Sequence, residues 1–423
     1  MKYHKRVLKN GLTIIEVPSN DAESVVVDFF VKTGSRSETA KENGISHFLE
    51  HFLFKGTTKY PSSMAITELI DGIGGEMNAN TGKEHTQYFI KGRHTHLALI
   101  FEVLADMLLH PLLDKEELER EKGVIVEEIN MYRDTPRINV GNILEEVMWQ
   151  GDPLGRDIAG TPEVVKKFTR QMFASYMERN YQPGNMLLGI SGKYDRVALN
   201  RLIAKYLNKL PAKRWQKWPK AKDSQRAPRV RIEFKDTKQA HFNLGFKAYN
   251  VNDKRNATAN VLSAILGGGM SSRLFSEIRE RRGLAYYVRA GNSQYQDTGV
   301  FDISAGIRVT NIEEALKVTM EVLKDIKTIP VTEKELVKAK SYLKGRTTLY
   351  LEDNQARLDW YLEQSAFSKK TKSPAEAFAE IDAVTAKQVQ AVANELFASA
   401  KTSLAIIGPY RSDKKFVKII SKI

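Results

Sequence analysis

The sequence contains no cysteine among its 423 residues. Disulfide bonds and thiolate metal ligands are therefore excluded, and any tightly bound transition metal must rely on histidine and carboxylate side chains. No run approaches the roughly 18 consecutive apolar residues that a membrane-spanning helix needs. The basic first residues, 1–7, are not followed by the apolar segment of an export signal. These absences predict a cytoplasmic protein that does not bind a membrane.

The composition is that of a globular protein, with 42% hydrophobic and 27% charged residues. A chain of this length exceeds one ordinary core, so we expect two or more domains. The net charge of +14 raises the question of a nucleic-acid partner. Basic residues are interspersed with acidic ones, however, and the densest basic stretch, residues 213–231, carries the prolines and tryptophans of a linker. We therefore predict no nucleic-acid binding.

Three blocks of the first half recur in the second half, in the same order and at offsets of 215 to 218 residues. Similar blocks at a nearly constant offset indicate an internal duplication. The matching pairs are residues 29–32 with 244–247, 114–118 with 332–336, and 185–192 with 401–408.

This duplication predicts an α+β fold built from two homologous domains, each with an antiparallel-rich sheet flanked by helices. The predicted boundaries are 1–212 for the N-terminal domain, 213–228 for a linker rich in proline and lysine, and 229–423 for the C-terminal domain.

The segment from Gly44 to Gly56 carries the string His-x-x-Glu-His. On a helix, His47 and His51 lie four residues apart on one face, with Glu50 beside them. Two imidazoles at this spacing can bind one zinc ion, and a neighbouring carboxylate can act as general base, which is the inverted zincin pattern. The equivalent positions of the second half are apolar, near Leu262, Ile265 and Leu266. The polar triplet is therefore not a requirement of the repeated fold.

A third ligand is expected on the predicted helix that spans residues 119–129. Glu121 and Glu128 share one of its faces with Val124 and Ile125. Neither carboxylate recurs in the second half. Glu127 competes with Glu128 for the ligand role but points about 100° away from it. A solvent-exposed acidic face is the alternative interpretation of this pattern.

With these residues the sequence resembles the pitrilysin family of zinc peptidases, and in particular the group that contains the catalytic subunit of the mitochondrial processing peptidase and its bacterial relatives. The ligand spacing in that family favours Glu128 over Glu127. The resemblance implies one zinc ion per chain, bound by His47, His51 and Glu128. It also implies that Glu50 is the general base, with Glu121 beside the centre as a further member of the catalytic set.

The resemblance extends to substrate binding. In the family, an Arg-x6-Tyr pair holds the substrate carbonyl, and here it is Arg279 and Tyr286. Met77, Asn78 and Ala79 match the family's exposed edge strand, to which an extended substrate adds by β-augmentation.

The implied function is that of a zinc-dependent endopeptidase acting on unfolded peptides. Larger relatives carry four such domains that close as a clamshell, so this chain is expected to form half of a chamber and to act as a homodimer. The alternative is a non-catalytic core or assembly subunit of the same fold.

Overall fold

Two β-sheets with the same internal strand order form the framework of the fold. The computed structural model describes residues 3–213 and 218–423, so part of the predicted linker, residues 214–217, lies outside the described residues. The strands are β1 His4–Val7, β2 Thr13–Pro18, β3 Ser24–Val31, β4 Glu76–Thr81, β5 Thr86–Arg93, β6 Met186–Gly192, β7 Arg229–Phe234, β8 Gln239–Ala248, β9 Ala285–Gln294, β10 Gly299–Arg308 and β11 Thr402–Gly408.

The first sheet has the order β1-β2-β6-β3-β5-β4, and the second has the order β7-β11-β8-β10-β9. Apart from the extra strand β1, the two orders correspond strand for strand. The pairs β2 with β6 and β7 with β11 are parallel, and all other pairs are antiparallel. The predicted duplication and the antiparallel-rich sheets are therefore confirmed.

The helices that surround the sheets also recur in order. The long helices α4 and α11 occupy equivalent positions in the two halves. The bounds are α1 Ile45–Phe52, α2 Ser63–Asp71, α3 Leu97–Leu109, α4 Lys115–Asp134, α5 Pro136–Met148, α6 Pro162–Val165, α7 Arg170–Asn180, α8 Arg196–Tyr206, α9 Asn256–Gly267, α10 Ile312–Thr328, α11 Glu333–Tyr350, α12 Asn354–Phe367, α13 Pro374–Asp382, α14 Ala386–Leu396 and α15 Lys414–Ile420. Within the part of the chain that the structure describes, none of these helices is long and apolar enough to cross a bilayer.

The compact units of the fold are not continuous in sequence. The unit that contains the first sheet takes in Tyr350–Thr371, and the unit that contains the second sheet takes in Met131–Gly155. Each unit thus includes one helix from the other half of the sequence, α12 in the first and α5 in the second. The boundaries at residues 212 and 229 remain a prediction for the duplicated halves, because the compact units follow a different division.

The exchanged helices bury a second apolar face of each sheet. In the first unit, Leu358 and Leu362 of α12 pack against Val26 and Phe30 of β3, while Val27 and the other alternate residues of β3 face the core that includes α1 and α3. In the second unit, α5 packs in the same way on β8 and β11. A strand covered on both faces becomes apolar throughout, as β3 is from Val25 to Val27.

Candidate metal centre

Helix α1 presents its polar residues on the side opposite its apolar anchor. Ile45, Phe48, Leu49 and Phe52 are buried in the core of the first unit, and the ring of Phe48 lies 4.9 Å from that of Phe173 on α7. This packing fixes the rotation of the helix about its axis. Its remaining face carries the two histidines and the glutamate of the motif.

His47, His51 and Glu128 converge in the structure. Nε2 of His47 lies 3.5 Å from Oε2 of Glu128, and Nε2 of His51 lies 3.4 Å from the same oxygen. One donor atom from each of the three residues falls within 4.8 Å of the others. A tetrahedral zinc ion with ligands at about 2.0–2.1 Å would separate its donor atoms by about 3.3–3.4 Å. The three side chains therefore fit a zinc site of the two-histidine, one-carboxylate type.

The electrostatics of His47 agree with a cation site. Burial lowers the pKa of this imidazole, but the hydrogen bond and the charge of Glu128 raise it, and the net pKa lies above the ordinary value. The pocket therefore stabilises positive charge beside Glu128 even without a metal. Zinc and a proton compete for such a nitrogen, since a metal ligand must be deprotonated.

Glu121 lies next to the cluster and contacts one of its ligands. Its Oε1 is 3.0 Å from Nδ1 of His51, and its Oε2 is 2.6 Å from Nζ of Lys55. Burial raises the pKa of Glu121, but the hydrogen bonds from His51 and Lys55 outweigh it, so the net pKa is lowered. An ionised Glu121 accepts a hydrogen bond from Nδ1–H of His51, so the tautomer with an unprotonated Nε2, which can bind a metal, is favoured.

Lys55 is a residue that the sequence reasoning missed. It stands four residues after His51, in the 3₁₀ turn Leu53–Lys55 that continues α1. That spacing places the two side chains on the same face, which is a signal that the sequence already contained.

Glu50 lies on α1 outside the three-residue cluster. Its Oε2 is buried and accepts no hydrogen bond from any residue in 3–213 or 218–423. Burial raises the pKa of Tyr181, and the negative charge of Glu50 raises it further. The hydroxyl of Tyr181 lies 2.8 Å from that of Tyr88. Burial also raises the pKa of Tyr88, so both phenols stay protonated.

Glu127, the other acidic candidate on α4, does not belong to the cluster of His47, His51 and Glu128. Glu127 is exposed, whereas Glu121 is 2% exposed. The alternative of a solvent-exposed acidic face is therefore wrong for Glu121. Of the two apolar residues on the same face, Val124 is 50% exposed, whereas Ile125 is fully buried. The buried stripe of α4 is narrower than the sequence pattern suggested.

The predicted edge strand lies at a sheet edge. Strand β4 pairs with β5 and ends the strand order of the first sheet. Met77 and Ala79 are half-buried and Asn78 is exposed. The geometry thus offers a strand edge in the unit that holds the metal cluster, and the role of these residues in substrate binding remains a prediction.

Arg279 and Tyr286 contact each other in the second unit. Arg279 lies in the π-helical turn Phe275–Glu280, and its Nη1 donates to the main-chain oxygen of Tyr286 at 2.8 Å. The side chain of Tyr286 is 50% exposed at the start of β9. This contact fixes the guanidinium of Arg279 and leaves the phenol accessible, and the role of the pair likewise remains a prediction.

Comparison with known proteins gives matches along most of the chain. Residues 14–162 match the family described as Insulinase (Peptidase family M16), and residues 167–343 match the Peptidase M16 inactive domain. The uncharacterized zinc protease YmxG of Bacillus subtilis is 35% identical over 405 residues, covering 95% of this chain and 97% of that protein. An uncharacterized zinc protease of Streptomyces coelicolor is 34% identical, covering 96% of this chain and 90% of that protein.

A solved structure shares the fold. The crystal structure of a protease from Helicobacter pylori superposes with a TM-score of 0.89 at 24% sequence identity, covering 96% of this chain and 99% of that one.

The sequence match that carries the insulinase description includes the five candidate site residues of the first unit. They are His47, Glu50, His51, Glu121 and Glu128.

Proposed function

The chain belongs to the insulinase family, peptidase family M16, and from this premise we propose that it is a zinc-dependent endopeptidase that hydrolyses peptide bonds in unfolded chains. The observation that carries the proposal is the convergence of His47, His51 and Glu128 within 4.8 Å. The relatives named as zinc proteases support the same metal. The proposed stoichiometry is one zinc ion per chain.

The side chains around the cluster have different proposed roles in hydrolysis. Zinc bound there would supply Lewis-acid activation of water and of the scissile carbonyl. Glu50 takes a proton from the attacking water at its free Oε2 and returns it to the leaving amine. Glu121 holds Nδ1 of His51 and so keeps the tautomer that directs Nε2 to the cluster. Glu121 is thus a positioning residue in this scheme.

Substrate binding is proposed to use main-chain hydrogen bonds. An extended peptide would add to the free edge of β4 beside Met77, Asn78 and Ala79. Recognition of this kind depends little on side-chain sequence, and it selects for chains that are unfolded. Arg279 and Tyr286 would hold the carbonyl of the scissile bond. The guanidinium of Arg279 would supply positive charge to the developing oxyanion, and the phenol of Tyr286 would donate a hydrogen bond to it.

A non-catalytic subunit of the same fold is the competing function. The inactive-domain description applies to residues 167–343, whereas the zinc cluster stands in the part of the chain that matches the insulinase description. All three ligand candidates and the candidate base are present. These residues favour the catalytic proposal for the first unit.

Removal of the metal tests the function. We expect the purified chain to cut a library of unstructured peptides, to lose this activity after treatment with a zinc chelator, and to regain it when stoichiometric zinc is restored. The cuts are read by mass spectrometry. Peptide cleavage that continues at the same rate in chelated protein, with zinc shown to be absent, would contradict a zinc-dependent peptidase.

A second copy of the chain is proposed as the partner that completes the chamber. Each chain carries one zinc motif and one Arg279/Tyr286 pair. If a site is completed by the partner's second unit, His47→Ala and Arg279→Ala chains will each be inactive, and mixing them will recover a fraction of wild-type activity. Size-exclusion chromatography with light scattering gives the oligomeric state of the mixture. A mixed dimer without any recovery would count against completion of the site by a partner.

A further inference from the structure

Helix α1 begins without a capping side chain of its own. Its N-cap is Gly44, with φ of +97°, and no acidic residue stands in its first turn. A larger residue cannot replace this glycine, because a Cβ atom would lie 2.5 Å from the main-chain oxygen of Ala159. The first N–H groups of a helix need acceptors, and a buried helix start must find them elsewhere in the fold.

Glu38 supplies these acceptors from outside the helix. Its Oε2 accepts hydrogen bonds from the main-chain N–H of Gly44 at 2.8 Å and from Nδ2 of Asn43 at 3.1 Å. Its Oε1 accepts from the main-chain N–H of Ser46 at 2.9 Å. The side chain is only 3% exposed. A negative charge at this end of the helix is also favoured by the helix dipole.

The orientation of His47 depends on this helix start. His51 is held through Nδ1 by Glu121, but Nδ1 of His47 is buried without a hydrogen-bond partner in the described parts of the chain. Its imidazole is therefore aimed by the backbone of the first turn, and the residue before it, Ser46, is the one that Glu38 holds. We propose that Glu38 is a positioning residue of the metal centre, whose carboxylate fixes the first turn of α1 and thereby aims His47 at the zinc ion.

The groups around Glu38 leave its charge without a counter-ion. Arg156 donates to the main-chain oxygen of Glu38 at 2.6 Å and not to its carboxylate. The hydroxyl of Tyr176 on α7 forms a hydrogen bond with the hydroxyl of Ser46 at 2.7 Å. Glu42, which lies between Glu38 and α1, forms an ion pair with Arg179. No cation among residues 3–213 and 218–423 forms an ion pair with the Glu38 carboxylate. Burial raises the pKa of Glu38 to about 7, although its hydrogen bonds oppose the rise.

The protonation of Glu38 gives the proposal a pH signature. A raised pKa means that the carboxylate is mostly ionised at pH 8 and mostly protonated at pH 6. When it takes up a proton, one oxygen becomes a donor and cannot accept equally well from the N–H groups of Gly44 and Ser46. Glutamine at position 38 resembles the protonated form at every pH. The wild-type chain and the Glu38→Gln variant should therefore differ at pH 8 and become alike at pH 6.

The test measures zinc affinity by competition with a chromogenic chelator at pH 6, 7 and 8. We expect Glu38→Gln to bind zinc about 10-fold more weakly than wild type at pH 8 and within about twofold at pH 6, given that a residue supporting a ligand typically changes affinity by about 10–100-fold. Protonation of the ligands is common to both proteins and cancels in the ratio. Glu42→Gln, which removes a neighbouring carboxylate that does not cap α1, is the matched control and should follow wild type at each pH.

Equal zinc affinity of wild type and Glu38→Gln at pH 8, or a ratio that does not change with pH, would overturn the proposal. If Glu38→Gln does not fold, the Glu38→Asp variant tests the proposal instead. Aspartate keeps the charge but is one methylene too short to reach the N–H groups of both Gly44 and Ser46. This variant should bind zinc at least about threefold more weakly at pH 8, and unchanged affinity would overturn the proposal. The inference rests on the proposed metal centre. Absence of zinc binding in wild type would overturn that centre itself, whereas equal binding by wild type and variant overturns the role of Glu38 alone.

Discussion

Replacing Glu50 by glutamine is expected to lower kcat/KM for peptide hydrolysis by about 10²–10⁴-fold while zinc remains bound, the range expected for loss of general acid–base catalysis. Glutamine preserves the shape of the side chain but cannot take a proton from water at neutral pH. Glu50 does not belong to the three-residue ligand cluster, so its replacement should leave the metal in place. Kinetics on a single fluorogenic peptide give the rate, and metal analysis of the same sample gives the zinc content.

Two comparisons make the Glu50 result specific. Glu68→Gln removes an exposed carboxylate of α2 in the same unit and should retain the wild-type rate. Wild type and Glu50→Gln, purified in parallel, are then used to digest one peptide library. Bonds cut by both proteins at similar rates would remove Glu50 from the mechanism. Loss of zinc from Glu50→Gln would show instead that this carboxylate supports the metal.

Replacing Glu128 by glutamine is expected to weaken zinc binding by at least about 100-fold, because changes to residues that only support a ligand already cost about 10–100-fold. The substitution removes the negative charge from the group that both histidines approach, at 3.5 and 3.4 Å. A neutral amide is a poor substitute for a carboxylate next to a divalent cation. Peptidase activity should fall in parallel and should recover partly when excess zinc is added.

Glu127 provides the matched control for Glu128. It is the adjacent residue of the same helix, carries the same charge and is exposed. Glu127→Gln should therefore bind zinc within about twofold of wild type, since a solvent-exposed substitution away from the site changes little. Weak zinc binding by Glu127→Gln together with normal binding by Glu128→Gln would reverse the assignment of the third ligand.

The features that the sequence predicted are those encoded locally or by repetition. The spacing of His47 and His51 depends on the pitch of one helix, and the constant offset between the two halves depends on a copied order of elements. Periodicity at 3.6 residues per turn placed Glu121 and Glu128 on one face of α4, but the choice of Glu128 over Glu127 came from the ligand spacing of the family that the sequence resembles. In the structure, Oε2 of Glu128 lies 3.5 Å from Nε2 of His47 and 3.4 Å from Nε2 of His51.

The features that the sequence did not reveal depend on contacts between distant segments. Glu38 precedes His47 by a loop that has no periodicity, and only the fold brings its carboxylate to the start of α1. The exchange of α5 and α12 between the compact units could not be predicted from the sequence either. The apolar face of a helix does not specify which sheet will cover it. Val124 is 50% exposed although it shares a helical face with the buried Ile125. Periodicity shows which way a side chain points from the helix, but it does not show how far the neighbouring elements cover that face.

The proposed peptidase function depends on a zinc ion that binds where His47, His51 and Glu128 meet. Diffraction from crystals of the wild-type chain, measured above and below the zinc absorption edge, tests it most directly. We expect one zinc-specific anomalous peak per chain, about 2.0–2.3 Å from Nε2 of each histidine and from the Glu128 carboxylate. A zinc-loaded crystal with no peak at these three side chains, or with its peak elsewhere, would contradict the account.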